Sequence, residues 1–509
     1  MPKNLRAAVL TVVAGTAILG STLVSTSPAL AIGPCPTLVQ GTDFTTFSDL
    51  QTLLTDKRFC DEGSMTVDFT SDFSWTDDNV IIWDGQDHQP LVLRGTGPNT
   101  PTITGYKAAV IENHSDGGLS VSNLTIKKGD VGSDNAIYGS NGNVALNNTT
   151  VLGRVGEDNG RAIRAGNGDV SITNSTIQDN KTGSGAGISV SGANSVTVTN
   201  STISNNQATF QGGGGIYAET GTVTILNSTV SGNSAAPFGS GGGVYMSGAG
   251  SVVVTNSTIS GNSAAGGGGG IDSSGSITAT NSTITGNSAT ESAAKGGGLL
   301  GRGSAWNLKF TTVVDNTAGT GGGNNIADDS GSTAFASIGS VIAATGQSSC
   351  TGVTPDATST YNATVADDSS CGFGQSGGPG NFSATTGELN LGALAVNANP
   401  SGTKTMLPNT GSKLINAVPA ATGQAAIGPN ATDQRGIART GEFWIGAAQQ
   451  APSSTLAQTP ANNCVHKSVD VPRRGTRWLM KPNCVTNAGQ KIKVTASARA
   501  PRGDAKFFS

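Results

Sequence analysis

Few side chains in this 509-residue chain are spaced to do acid–base or metal chemistry. Cleaving a polysaccharide would need clustered carboxylates, for proton transfer or Ca²⁺ binding, with a Lys, Arg or His beside them. The acids of Asp77-Asp78, Asp328-Asp329 and Asp367-Asp368 are sequence neighbours, and neighbours in a strand point to opposite faces. His114 is the one histidine between residues 106 and 345, and Trp83, Asp84 and His88 in IIWDGQDH read as a solvated loop ahead of the repeats. The six cysteines form neither CxxC nor a Cys/His cluster, so no zinc site is expected. No catalytic residue is assigned, and no metal or cofactor is implied.

Binding residues are the better candidates, and they emerge from a repeat. The phrase Asn-Ser-Thr-Ile/Val begins at Asn174, Asn200, Asn227, Asn256 and Asn281. Degenerate copies begin at Asn123, Asn148, Phe310 and Gly339, so the interval runs from 25 to 29 residues. A second phrase keeps the same period: AGI at Ala186, then GGGI, GGGV, GGGI and GGGL at Gly213, Gly241, Gly268 and Gly296. Taking the apolar residue after each Gly run (Ile137, Ile163, Ile188, Ile216, Val244, Ile271) as inward, the next residue faces out. That row is Tyr138, Arg164, Ser189, Tyr217, Tyr245 and Asp272. Neighbouring aromatic faces beside polar groups could hold a sugar chain by stacking and hydrogen bonding. The plain alternative is cross-strand stacking, which contributes about 0.2–1 kcal/mol.

The period, with the local alternation, defines the elements that must place this row. In Ser195–Asn200, Val196 and Val198 share one side while Thr197 and Thr199 take the other, the period of a strand. Ile203 lies at an odd offset from Val198, so the chain must bend between them at Asn200, a residue whose short amide suits a bend. Stacked coils would align Asn174, Asn200, Asn227, Asn256 and Asn281 into an amide ladder. A later row (Asn180, Asn206, Asn233, Asn262, Asn287, Asn316) follows at the next corner, and the Gly runs suit a third. The expected fold is all-β: a right-handed, single-stranded parallel β-helix with an N-terminal cap and a small C-terminal β module. Scarce Leu argues against leucine-rich repeats, and frequent Gly and Ser against helical ones.

Composition agrees. The chain has 74 Gly, 12% charged and 5% aromatic residues. A compact core of this size would carry more large apolar residues, and disorder would carry more charge.

Residues 1–31 read as a signal peptide: Lys3 and Arg6, an apolar run to Val24, Pro28, then Ala29-Leu30-Ala31. An uncleaved anchor is the rival, and no later segment could span a bilayer. Residues 32–105 form the N-terminal cap. There Ser48 would cap a helix whose Phe47, Leu50, Leu53 and Leu54 cover the open first coil. Residues 106–345 are the coils, 346–450 an exit segment, 451–460 a linker and 461–509 a basic tail. That tail holds ten basic and two acidic residues, against a net charge of −4 for the whole chain. An even cysteine count in a secreted chain suggests disulfides, and sequential pairing gives Cys35–Cys60, Cys350–Cys371 and Cys464–Cys484.

The repeats resemble right-handed parallel β-helix repeat proteins of bacterial surfaces. The alternation of GGGI (213–216) with NSTISGNSA (256–264) is similar to the repeat of polymorphic outer membrane protein passengers. In the exit segment SSCGF (369–373), LGALAVN (391–397), LPNTGSKLINA (407–417) and TDQRGIAR…IGA (432–447) resemble the choice-of-anchor Q domain of secreted bacterial proteins. Trp444 and Gln449 stand where that family usually carries acidic residues. The chain stops 49 residues after Pro460, leaving no autotransporter barrel, so a Gram-positive, actinobacterial source is expected. LPNTG satisfies the sortase pattern without the apolar span and basic end that should follow it, and Arg502-Gly503-Asp504 matches an integrin tripeptide by chance.

Two function classes follow. The first is a non-catalytic secreted or wall-associated protein, binding envelope polysaccharide or a neighbouring or host cell surface, its basic tail held by anionic wall polymer. Nucleic acid is not an expected partner of a secreted protein with an acidic body. The second is a carbohydrate-active enzyme of the polysaccharide lyase or glycoside hydrolase kind, since such enzymes use this fold.

Overall fold

The computed structural model describes residues 33–449 apart from 58–59, 61, 86–88, 107–108, 130–134, 154–159, 193, 303–304, 331–332, 345, 347, 374–377 and 398. The signal peptide, the linker, the basic tail and the Cys464–Cys484 pair lie outside the described residues.

Each coil of this right-handed parallel β-solenoid supplies three short strands. In one mid-rod coil they are Val196–Thr199, Thr202–Ser204 and Ile216–Ala218. Stacked in parallel register, they build a first face of 13 strands, a second of 13 and a third of 11 among the described residues. A fourth ribbon of five two-residue strands, such as Gln207–Ala208, runs between the second and third faces.

Like residues sit over like. Val170, Val196, Val223, Val252 and Ile277 pair in sequence on the first face, and Ile216, Val244 and Ile271 on the third. All are buried, and each contributes roughly 1.5–3 kcal/mol by leaving water. No coil could bury this row alone, so the stacking itself makes the core.

The two asparagine rows do different jobs. Asn174, Asn200, Asn227, Asn256 and Asn281 adopt φ of 49, 50, 49, 51 and 47°, the left-handed bend between the first and second faces, which Asn tolerates better than most residues. The amide ladder expected along this row does not form. Its side chains point away from the stack because the bend re-phases the chain, and the following residue faces inward instead. The N–H groups of Ser175, Ser201 and Ser228 each donate to the serine Oγ one coil on, at 3.0 Å. The ladder runs along the next corner, from Asn180 through Asn206, Asn233, Asn262, Asn287 and Asn316 to Asn325. Each Nδ2 there donates to the next Oδ1 at 2.9 Å.

The coils extend past both expected ends. Thr37–Val39 and Met65–Phe69 already belong to the first face, and Phe382–Ala384 closes the second. The N-terminal segment and residues 346–384 are therefore coils lacking the repeat phrases, because inward apolar residues alone suffice to form a rung. The helix Phe47–Lys57 buries Leu50 and Leu54 on the first coils. Its cap is Thr46, not Ser48: Thr46 Oγ1 accepts from the Asp49 N–H at 3.2 Å, and Asp49 accepts from the Thr46 N–H at 3.1 Å. The Gln51 amide completes the edge strand Ile81–Trp83, accepting from the Ile82 N–H at 3.0 Å and donating to its carbonyl at 3.1 Å. Disulfides join Cys35 to Cys60 and Cys350 to Cys371 near the two ends.

Residues 386–449 then turn back along the outside of the second face. Leu389, Leu414, Val418, Phe443 and Ile445 pack against Phe310, Val314, Val341 and Ala343. Gln434 spans two coils, its Nε2 donating to Thr258 Oγ1 at 2.9 Å and its Oε1 accepting from Thr283 Oγ1 at 2.7 Å. Arg439 is buried with its guanidinium 4.7 Å from the Phe310 ring centroid. It donates to Asn281 Oδ1 at 3.1 Å and to the carbonyls of Trp444 and Gly446 at 3.1 and 2.8 Å. Burial pushes its pKa down to about 10.

Candidate functional site

The third face is partly open between Glu112 and Tyr245, while Leu300 and Ala327 further along it are buried. Register places Glu112, Tyr138, Arg164, Ser189, Tyr217, Tyr245 and Asp272 in one outward row, one per coil. Parallel strands lie about 4.8 Å apart, so the row is a ladder of side chains at that spacing. The Tyr217 and Tyr245 ring centroids are 5.8 Å apart at 58°. Arg164 is exposed, with its guanidinium 5.6 Å from the Tyr138 centroid.

Asp272 departs from expectation. It belongs to the row by register but is wholly buried, because Arg302 folds over it with bonds of 3.0 and 2.7 Å, and the larger Leu300 follows on the next coil. It is unavailable to a ligand. Burial pushes its carboxyl up, against the pull of Arg302, and burial followed by Asp272 pushes the Tyr245 phenol up. Ser189, between Arg164 and Tyr217, is also buried.

Loops from the fourth ribbon wall one side of the row. A Cβ on Gly212 would lie 2.4 Å from the Tyr245 ring, and one on Gly185 would lie 2.9 Å from Tyr217 Cβ. The glycine runs are thus what lets these loops close against the aromatic rings. The same loops carry Phe210 and Phe238, 68% and 71% exposed, an apolar rim that the period alone did not reveal because each lies outside the repeated phrase.

At the N-terminal end the fold assembles a group that the sequence left scattered. His114 Nδ1 lies 2.7 Å from Asp84 Oδ1 and its Nε2 lies 3.4 Å from Glu112 Oε2. The His114 ring is 6.2 Å from that of Tyr138. Residues 30 apart meet here because consecutive coils carry them, a relation visible only with the register. Asp328 accepts from Ser330, and Asp329 pairs with Lys295 at 2.8 Å and with Arg302 at 3.3 Å, so these acids serve local structure. Asp368 likewise accepts from Ser349 and Ser370.

The TDQRGIAR motif is internal. Asp433 and Arg435 pair at 2.7 Å and are buried, as are Trp444 and Gln449. Among the described residues no group of three or more His, Cys, Asp or Glu is placed to hold a metal ion, and no helix is long and apolar enough to cross a membrane. Arg502-Gly503-Asp504 lies outside the described residues.

The family model described as a right handed beta helix region matches residues 107–317 and, overlapping, 186–351. Those stretches contain the whole row from Tyr138 to Asp272. No curated protein matches the chain.

Proposed function

We propose that this chain is a non-catalytic protein of the cell exterior that holds glycan along its third face. The observation that carries the reading is the pair Tyr217 and Tyr245, 5.8 Å apart in an open row with Tyr138 and Arg164. Flat aromatic faces with a polar edge suit the apolar face and hydroxyl rim of a sugar. A rigid rod fixes their spacing before a ligand arrives, which lowers the ordering cost of binding. The disulfides at both ends suit an oxidising compartment, and the resemblance to bacterial surface repeats and to a choice-of-anchor segment supports the same setting. The partner is envelope polysaccharide or a neighbouring cell surface, with the basic tail resting on anionic wall polymer.

A glycan array probed with the full chain and with Tyr217→Ala/Tyr245→Ala tests this. At least a tenfold loss of binding is expected, and unchanged binding removes the reading. Tail-deleted protein that stays on isolated walls at low salt would remove the tethering role.

The second reading, a carbohydrate-active enzyme, has one observation in its favour: His114 bracketed by Asp84 and Glu112 beside Tyr138. These side chains are exposed by 40, 56 and 30%. Release of unsaturated or reducing ends from uronate polymers, abolished by His114→Ala, would establish it.

A further inference from the structure

The centre of the row carries two arginines, and among the described residues no acid pairs with either. Arg161 and Arg164 lie on either side of Ile163 in one coil, and among the described residues neither forms an ion pair. Arg164 reaches outward beside Tyr138. Arg161 is partly buried, donates once, to Ser184 Oγ at 3.0 Å, and leaves its Nε buried without an acceptor. Burial and then the neighbouring Arg164 hold Arg161 below its ordinary value, with Tyr217 acting in the opposite direction. Lys128 is buried nearby and donates to the Gly160 carbonyl, its charged form disfavoured first by burial and then by Arg161.

Four acids of the described residues along this face are engaged with other groups. Asp84 and Glu112 bracket His114 toward the N-terminal end. Asp272 is bound by Arg302 toward the other. Exposed Glu219, two residues past Tyr217, accepts from the Gly192 N–H at 2.8 Å. Between Arg164 and Tyr217 the row holds only the small, buried Ser189, and Gly185, bare of a side chain, packs close against Ser189 and Tyr217.

A guanidinium presents donors in a fixed fork that matches a carboxylate or sulfate, and a half-dry N–H without an acceptor is costly until one arrives. We infer that the tyrosine row selects acidic glycans, seating a carboxylate- or sulfate-bearing sugar on Arg161 and Arg164 between Tyr138 and Tyr217. This rests on the glycan-binding reading above and names the ligand class.

The test titrates the full chain with polygalacturonate oligomers and with their fully methyl-esterified counterparts, which share the backbone but lack the charge. A parallel arm compares dextran sulfate with dextran, and the stronger arm identifies which acid group is preferred. At least tenfold tighter binding of one acidic form is expected, shrinking as salt rises. Arg164→Gln, an exposed change that leaves the coil packing intact, should remove most of that advantage. Arg161→Gln/Arg164→Gln should remove all of it, leaving the acidic forms bound no more tightly than the neutral ones. Equal affinity for acidic and neutral forms overturns the inference and leaves the glycan reading standing. An acidic preference that survives the double variant also overturns it, since the charge would then lie in the basic tail. Binding to none of the four probes overturns both.

Discussion

The second and third faces are built from the same coils yet meet the outside differently. On the second face Thr202 and Thr229 are partly exposed, whereas Thr258 and Thr283 of the same phrase are wholly buried under residues 386–449. The third face receives no such cover, and its row changes identity from coil to coil. A repeat fixes where a side chain sits, but its neighbours outside the repeat decide whether it is structure or surface. On the second face uniform threonines make a docking platform. On the third, irregular Tyr, Arg and Ser make a surface with local character, the kind of variation a ligand can read.

The largest effect that would break this comparison is loss of the cover. Arg439→Ala leaves Asn281 and two carbonyls without their donor and opens a cavity beside Phe310. The docked segment should lose about 3–5 kcal/mol. Limited proteolysis should then cut within residues 386–449 while the coils resist, and equal protection of the variant and the parent would show that Arg439 is not the clamp.

Next comes a change common to both faces. Asn233→Ala removes the amide that donates to Asn262 at 2.9 Å and to the Ile203 carbonyl at 3.0 Å and accepts from Asn206. It should cost roughly 1–3 kcal/mol in urea unfolding. Asn200→Gly, at the other corner, should cost far less, because only the left-handed φ must be kept. A similar loss for both would return the ladder to the first corner.

Smaller still in stability, Tyr217→Ala should cost only about 0.2–1 kcal/mol as a cross-strand neighbour of Tyr245, while glycan retention on an affinity gel falls severalfold. That separation of stability from binding is what the open face predicts and the covered face does not.

The mildest effect is an acid response of the cover alone. Glu388 accepts from the Thr385 N–H and pairs with Lys413 at 2.6 Å, with Lys413 the leading cause of a pKa lowered from 4.5 to about 2. A depressed carboxyl stabilises the fold above its unfolded pKa, so the contribution is complete above about pH 4.5 and fades toward pH 2. Protease sensitivity of residues 386–449 should rise over that window, and Glu388→Gln should flatten the response.

Much of this was legible in the chain. Period, alternation and the inward Ile and Val positions gave the solenoid and its register, because one row of apolar residues can face inward in only one phase. The Tyr217–Tyr245 adjacency followed from that register. What escaped had physical reasons. Asn200 and Asn206 share a period, and only the re-phasing at a left-handed bend says which amide turns inward. Asp272 is outward by phase, yet Arg302 two residues past the next coil's Leu300 closes over it. The docked segment joins Gln434 to Thr258 and Arg439 to Asn281 across more than 150 residues, a distance no local pattern spans. His114, Asp84 and Glu112 met only once the degenerate early coils were counted as coils.

The Gln51 amide has a meaning beyond its two hydrogen bonds. A stack of coils is a one-dimensional crystal, and its growth habit is set by its end layers. By standing in for the peptide group of a coil that is not there, Gln51 occupies the outward hydrogen-bonding groups of Ile82 at the edge of the third face. That edge ends as a capped polymer does: the capping group resembles a peptide closely enough to take its place, and differs enough to stop.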